Sequence, residues 1–271
     1  MKNGSLVFKS IRSLLTVSVL ILVFILPVLL LLMLAFSSAW RFPGPGPVAF
    51  SLRAFRYVFF QSPGFFQSIL SSTFYSICTV ILSLTLCILP ARALAWEDFP
   101  LKRVVEGLLL SPVLLPVMTF SMGIHILMLK WGLTGTAAGI VVVLTLFNYP
   151  YMLRSLISGY QQFPRTMTET ASNLGAPWHY TLVRVELPQL IPAIAAGAPV
   201  VFLTAFSEYF LVFLIGGGAV PSLSGYLFPF ISGSDYPVSS LIVIIFIILP
   251  LLLFTLLDSV VYAVYKKRSL S

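Results

Sequence analysis

Charge is what this sequence has least of. Of its 271 residues only 9% are charged, where a soluble domain carries about 25%. Too few polar groups remain to clothe a globular core, so a soluble enzyme and a disordered tail are both excluded. Only two cysteines are present. Cys78 and Cys87 fall nine residues apart in one apolar run, where a helix points them in different directions and out of bridging range. A secreted disulfide scaffold is excluded, and both read as small buried hydrophobes. The two histidines, His125 and His179, are separated by a hydrophobic span and build no metal site. No Ser/His/Asp constellation appears, and no G-x-x-x-x-G-K-[ST] phosphate loop.

What is present is apolar side chain: 59% of residues, with a mean hydropathy of +1.03. Six segments reach the roughly 20 apolar residues needed to cross a bilayer: 13–36, 67–89, 105–129, 137–157, 190–215 and 238–261. Pro27, Pro112, Pro116 and Pro250 interrupt them, which a membrane tolerates where neighbours satisfy the freed carbonyls. The first run is too long for a secretory h-region of about 7–15 residues, so it reads as a retained helix. The expected fold is all-α, a single polytopic domain over 1–271.

The net charge of +8 forms no dense basic face, which argues against nucleic acid and for topology determinants. With the N-terminus in the cytoplasm, that side receives Lys2, Lys9, Arg12, Arg92, Lys102, Arg103, Arg154, Arg165, Arg184, Lys266, Lys267 and Arg268. The other side keeps Arg41, Arg53, Arg56 and Lys130. That asymmetry places both termini in the cytoplasm. Trp40, Trp96 and Trp131 fall at span ends as interfacial anchors, and the aromatic stretch between Trp40 and Phe66 lies along the outer interface.

The connection from Ser158 to Pro188 is far longer than joining two adjacent helices requires. It reads as two short helices with a corner: Pro164 suits a first helical turn, Gly175 a left-handed C-terminus, and Pro177 the start of a second turn. Met167, Ala171 and Leu174 recur at i, i+4 and i+7, an apolar face on an otherwise polar helix, suited to a groove on another protein.

Here the sequence resembles the inner-membrane permeases of binding-protein-dependent ABC importers with the type I fold. Their signature is Glu-Ala-Ala, three residues, Gly, nine residues, Ile, any residue, Leu-Pro. Glu169, Ala171, Gly175, Leu187 and Pro188 match it at the correct spacing. Thr170 replaces an Ala and Val185 the Ile, while Pro164 five residues before the Glu also fits. The resemblance implies six transmembrane helices and a cytoplasmic coupling helix that inserts into a cleft of an ATP-binding subunit. Pro164, Met167, Glu169, Ala171, Leu174, Gly175, Leu187 and Pro188 are the residues it assigns to that contact. It implies as partners a second permease chain, identical or related, two ATP-binding subunits, an extracytoplasmic substrate-binding protein and lipid. This chain binds no cofactor; ATP and Mg belong to the partner ATPases.

Four residues are candidates for the translocation path. Glu208, with Tyr209 beside it, is an ionisable group at expected membrane depth, which costs a few kcal/mol unless it faces protein or water. It reads either as lining the path or as a structural hydrogen bond. Ser121 and Asn148 read as path groups or as interhelical hydrogen-bond donors. The competing function is an ion-gradient-driven secondary transporter using Glu208, which calls for paired buried charges and internal repeats that are not seen. A membrane-embedded enzyme calls for convergent catalytic side chains, also not seen. The segment Leu227 to Tyr236 resembles permeases for polyamines, ferric ion, thiamine or phosphonates more than those for sugars.

Overall fold

A computed structural model describes residues 16, 21–38, 46, 49–233 and 235–269, without the side chains of 256–258 and 260–269. The N-terminal basic residues, Trp40 and Arg41 lie outside the described residues, as do the side chains of Lys266, Lys267 and Arg268. All regular structure among the described residues is helical apart from one isolated bridge, Ser37 with Phe50. The helices are α1 (Ile21–Ala35), α2 (Arg53–Arg56), α3 (Phe65–Trp96), α4 (Lys102–Leu110), α5 (Val117–Lys130) and α6 (Ala137–Gln162). They continue as α7 (Arg165–Asn173), α8 (Trp178–Thr181), α9 (Leu187–Ser207), α10 (Phe210–Gly216), α11 (Leu223–Ser232) and α12 (Tyr236–Ser269).

Where six spans are expected, four described helical runs are long and apolar enough to cross a bilayer: Phe65–Trp96, Ala137–Gln162, Trp178–Ser207 and Tyr236–Thr255. A fifth is obtained if Lys102–Leu114 and Val117–Lys130, bent by 99°, count as one. The first expected span is described only as Ile21–Ala35, because residues 13–15 and 17–20 lie outside the described residues.

Two expected spans are cut. Within 105–129, α4 tightens into a 3₁₀ turn at Ser111–Leu114, and Leu115 is extended at φ −83°, ψ 132°. Pro116 is the cause, since its ring disfavours helical backbone at the residue before it and it has no N–H to donate. Within 190–215, α9 stops at Ser207 and Glu208 is extended at φ −72°, ψ 116°. No proline stands there. By contrast α1, α3, α6 and α12 run through Pro27, Pro90, Pro150 and Pro250.

Two compact units are distinguished. One comprises residues up to Phe65 with Tyr226–Leu249. In it α2 passes into a π turn, Tyr57–Gln61, that gathers aromatic rings: Phe55 on Phe59 at 4.6 Å, Tyr57 edge-on to Phe230 at 6.0 Å, Phe65 on Tyr226 at 5.6 Å. The Ser62 and Tyr226 hydroxyls are hydrogen-bonded. Asp235 pairs with Arg53 at 2.7 Å.

The other unit comprises Phe66–Gly225 with Pro250–Ser271. Its core has two clusters, one around Cys87, Ala91, Met152, Leu156 and Tyr160, the other around Tyr75, Ile140, Leu144, Ala205 and Leu211. A close seam runs between α6 and α9, and it is built from small residues. Ser155 and Gly159, four apart on α6, face Ala193 and Gly197, four apart on α9. A Cβ added at Gly159 would stand 2.6 Å from the Ala193 Cβ, and one at Gly197 2.9 Å from the Ser155 Cβ. The Ser155 hydroxyl donates to the Ala193 carbonyl at 2.6 Å. Small residues four apart are how helices approach closely in a membrane, where packing and hydrogen bonds replace the hydrophobic effect.

Candidate functional site: the segment between α6 and α9

Phe163 ends α6 with an extended backbone and is buried, its ring 5.8 Å from that of Trp96 at the end of α3. Pro164, expected inside the first helical turn, stands just ahead of it with φ −70°, ψ 116°. There its missing N–H is harmless and its ring orients the chain into α7.

α7 is held at one end and presents one face. The Arg165 guanidinium donates to the Trp96 carbonyl at 2.9 Å and pairs with Glu169 at 2.9 Å. Only Thr168 on this helix is buried. Met167 and Leu174 are exposed, at 49% and 83%, with Ala171 partly covered between them. Beyond the corner, Trp178, Tyr180 and Val183 are exposed as well. Exposed pairs like Arg165–Glu169 contribute no more than about 1 kcal/mol. Glu169 therefore sets the helix's polar face more than its stability.

The corner is a left-handed cap. Gly175 adopts φ +83°. Its N–H donates to the Ser172 carbonyl at 2.9 Å, and the Ala176 N–H reaches back to the Ala171 carbonyl at 3.1 Å, satisfying carbonyls the helix end leaves open. Pro177, at φ −67°, ψ 152°, then starts α8. The stretch after the corner is no loop. α8, a π turn at Leu182–Glu186 and α9 form one helical run, so Leu187 and Pro188 belong to a spanning helix. The wider π turn lies just where the Pro188 ring would crowd the preceding turn of an α-helix.

Glu186 occupies that turn and is 1% exposed. Its Oε1 accepts from Arg92 Nε at 3.1 Å and its Oε2 from the Tyr160 hydroxyl at 3.0 Å. The Arg92 guanidinium lies over the Trp96 ring, 5.3 Å from its centre. The Trp96 indole N–H donates to the Tyr160 carbonyl at 2.9 Å. Together with the Arg165 bond these contacts close a ring joining α3, α6, α7 and the start of α9. Sequence reasoning singled out none of Arg92, Tyr160 and Glu186 for this site. The available signal was a carboxylate at the unspecified position of the Val185-x-Leu187-Pro188 run, with an arginine near the end of an apolar helix. Beside the ring, Arg92, Glu97, Thr168, Glu169 and Asn173 line a cleft of about 250 Å³.

Ser121 and Asn148 are buried and donate to carbonyls of their own helices, Met118 and Leu144, each at 2.8 Å. Glu208 and Tyr209 lie half-buried in the break between α9 and α10. There a Glu208 oxygen accepts the Leu211 N–H at 3.1 Å, capping α10, and the Ser224 hydroxyl donates to the Glu208 carbonyl at 3.3 Å. The Tyr209 ring stacks on Phe213 at 5.7 Å.

Known proteins share this architecture. The structure of a bacterial ABC transporter involved in the import of the acidic polysaccharide alginate superposes with a TM-score of 0.74 at 17% identity, over 94% of this chain and 97% of that one. The alpha-glucoside transport system permease protein AglG of Rhizobium meliloti (strain 1021) is 29% identical over 228 residues, 79% of this chain and 58% of its own length. The putative 2-aminoethylphosphonate transport system permease protein PhnU of Salmonella typhimurium is 33% identical over 118 residues, 43% of this chain and 41% of that protein. The chain spans about half the length of the curated relatives it matches. The family described as binding-protein-dependent transport system inner membrane component matches residues 83–270, more than half of the chain and all of the segment above. This chain is a member of that family, a non-catalytic, multi-pass permease of the inner membrane.

Proposed function

We propose that this chain forms half of the translocation path of an ATP-driven importer of the type I fold, coupled to its ATP-binding subunits through residues 158–188. The single observation that carries this reading is α7: a short helix fastened to α3 at Arg165, with Met167 and Leu174 uncovered and a left-handed corner at Gly175. A surface of that kind fits a groove on a partner protein. The exposed apolar α1 supplies a further span, giving six with both termini in the cytoplasm, and a second permease chain completes the path. Closure of the paired ATP-binding subunits rocks the two permeases between inward- and outward-facing states. ATP and Mg stay on those subunits, and a binding protein delivers the solute. The Glu208 carboxylate is engaged as a helix cap, which favours this reading over an ion-driven carrier using it.

For the solute, the likeness to a 2-aminoethylphosphonate permease favours a phosphonate among the polyamine, ferric-ion, thiamine and phosphonate classes; alpha-glucosides and alginate belong to the other relatives. Co-purification tests the assembly: an ATP-binding subunit retained on the wild-type chain supports it, and solute uptake in vesicles without ATP, abolished by dissipating the ion gradient, refutes it. Thermal shift of the cognate binding protein against those solutes and saccharides tests the substrate.

A further inference from the structure

We propose that Glu186 is a positioning residue for energy coupling: its buried carboxylate makes the spanning helices α3 and α6 follow α7. The proposal rests on the reading of α7 as the contact for an ATP-binding subunit.

Covalent connection alone transmits little from α7. It is joined to α6 through the extended pair Phe163–Pro164 and to α8 through Gly175–Pro177, where small dihedral changes absorb a displacement. α7 also buries almost nothing of its own; Thr168 is covered, and its hydroxyl has no hydrogen-bond partner among the described residues. Two directional links bridge these corners. Arg165 binds the Trp96 carbonyl from the start of α7, and Glu186 binds Arg92 from beyond its far corner. Arg92 and Trp96 are four residues apart, one face of the last turn of α3. That turn is therefore gripped from both sides of the α7 segment. Through its second oxygen Glu186 also holds Tyr160 on α6, and α6 is locked to α9 by the small-residue seam.

A carboxylate suits this task better than an apolar side chain. Apolar packing permits sliding, whereas two charge-assisted or directed hydrogen bonds from one buried group fix both distance and angle. Both oxygens are used, on two different helices. Residue 186 is the unspecified position of the motif, so the role follows from Arg92 and Tyr160 rather than from the signature.

The test uses the transporter assembled with its ATP-binding subunit in lipid nanodiscs, with and without its solute-loaded binding protein. Glu186→Gln keeps an acceptor for Tyr160 and removes the charge; Arg92→Gln removes the other half of the pair. Expected for both is retention of the ATP-binding subunit and basal ATP hydrolysis within about twofold of wild type. Stimulation by the loaded binding protein falls about fivefold or more. The double variant falls no further than either single, because both break one link. Stimulation equal to wild type in Glu186→Gln, additive losses in the double variant, or shedding of the ATP-binding subunit overturns the proposal. Should Glu186→Gln fail to insert, Arg92→Gln, whose side chain is 39% exposed, carries the same comparison. A wild-type chain that retains no ATP-binding subunit sinks the reading of α7 instead.

Discussion

Replacing Gly175 isolates a conformational effect from a steric one. Its φ of +83° lies where side chains are disfavoured, yet an added Cβ meets no atom within 4 Å. Alanine or valine there is penalised only through the backbone. Holding an L-residue in the left-handed region costs about 1–2 kcal/mol, and a β-branched residue stands at the upper end or beyond. Asparagine enters that region more readily. Two outcomes compete at the cap. Either the variant keeps its two closing hydrogen bonds, from Gly175 and Ala176 to Ser172 and Ala171, and bears the strain, or it releases them and the end of α7 frays. Fraying is the cheaper route, because α7 has nine residues, too few for a stable isolated helix, and Leu174 at its end is 83% exposed. The strain therefore appears when a partner orders the helix.

The expected result is a loss of affinity for the ATP-binding subunit by a factor of about 5–30, the equivalent of 1–2 kcal/mol. The order is Gly above Asn, Asn above Ala, and Ala above Val. Titration of the ATP-binding subunit onto the chain in nanodiscs measures it. Thermal unfolding of the chain alone stays near wild type, since little of α7 is buried. Equal affinity for the Gly and Val forms would refute the claim that the left-handed corner shapes the docking surface.

At the α6–α9 seam, Gly159→Ala places a Cβ 2.6 Å from that of Ala193, so thermal unfolding in detergent should show about 1–3 kcal/mol of destabilisation. Adding Ala193→Gly should recover at least half. In the α9–α10 break, Glu208→Ala removes the acceptor of the Leu211 N–H and should cost about 1 kcal/mol. Glu208→Gln keeps that acceptor and should leave both stability and uptake unchanged; a loss of uptake with normal stability assigns the charge to the path.

Local signals were legible where they act locally. Gly175 stands at a left-handed corner and Pro177 at a helix start, as their backbone preferences dictate. Met167 and Leu174 lie uncovered on one helix, as their spacing requires. Pro116 marked the break between α4 and α5, although a membrane span read by hydropathy alone runs through it. The break at Glu208 carried no such mark. Only Ser207 and Tyr209 flank it within a largely apolar stretch, and what ends α9 is a side chain taking over a backbone acceptor's work. Hydropathy is blind to that exchange. Ser121 and Asn148 were open to a path role or to an interhelical hydrogen bond by polarity alone; each instead donates to a carbonyl of its own preceding turn.

Glu186 marks the harder limit. Its partners are 94 and 26 residues away in sequence, so neither periodicity nor spacing reveals them. A lone carboxylate ahead of Leu187-Pro188 reads as a solvated helix end, and only the packing of α3 and α6 around it makes the charge structural. The same packing gives the motif its purpose. Leu187 and Pro188 lie in a continuous spanning helix that begins at Trp178, so the signature straddles a corner rather than filling a loop. Its first half, Glu169 to Gly175, lies on the exposed α7 and its left-handed corner. Its second half, Val185 to Pro188, is already part of a spanning helix, and the π turn between them is where Glu186 fastens that helix to α3 and α6. On the proposed coupling, a displacement delivered to the first half reaches the second through the Arg165–Trp96 and Arg92–Glu186 hydrogen bonds, with no need for a separate relay.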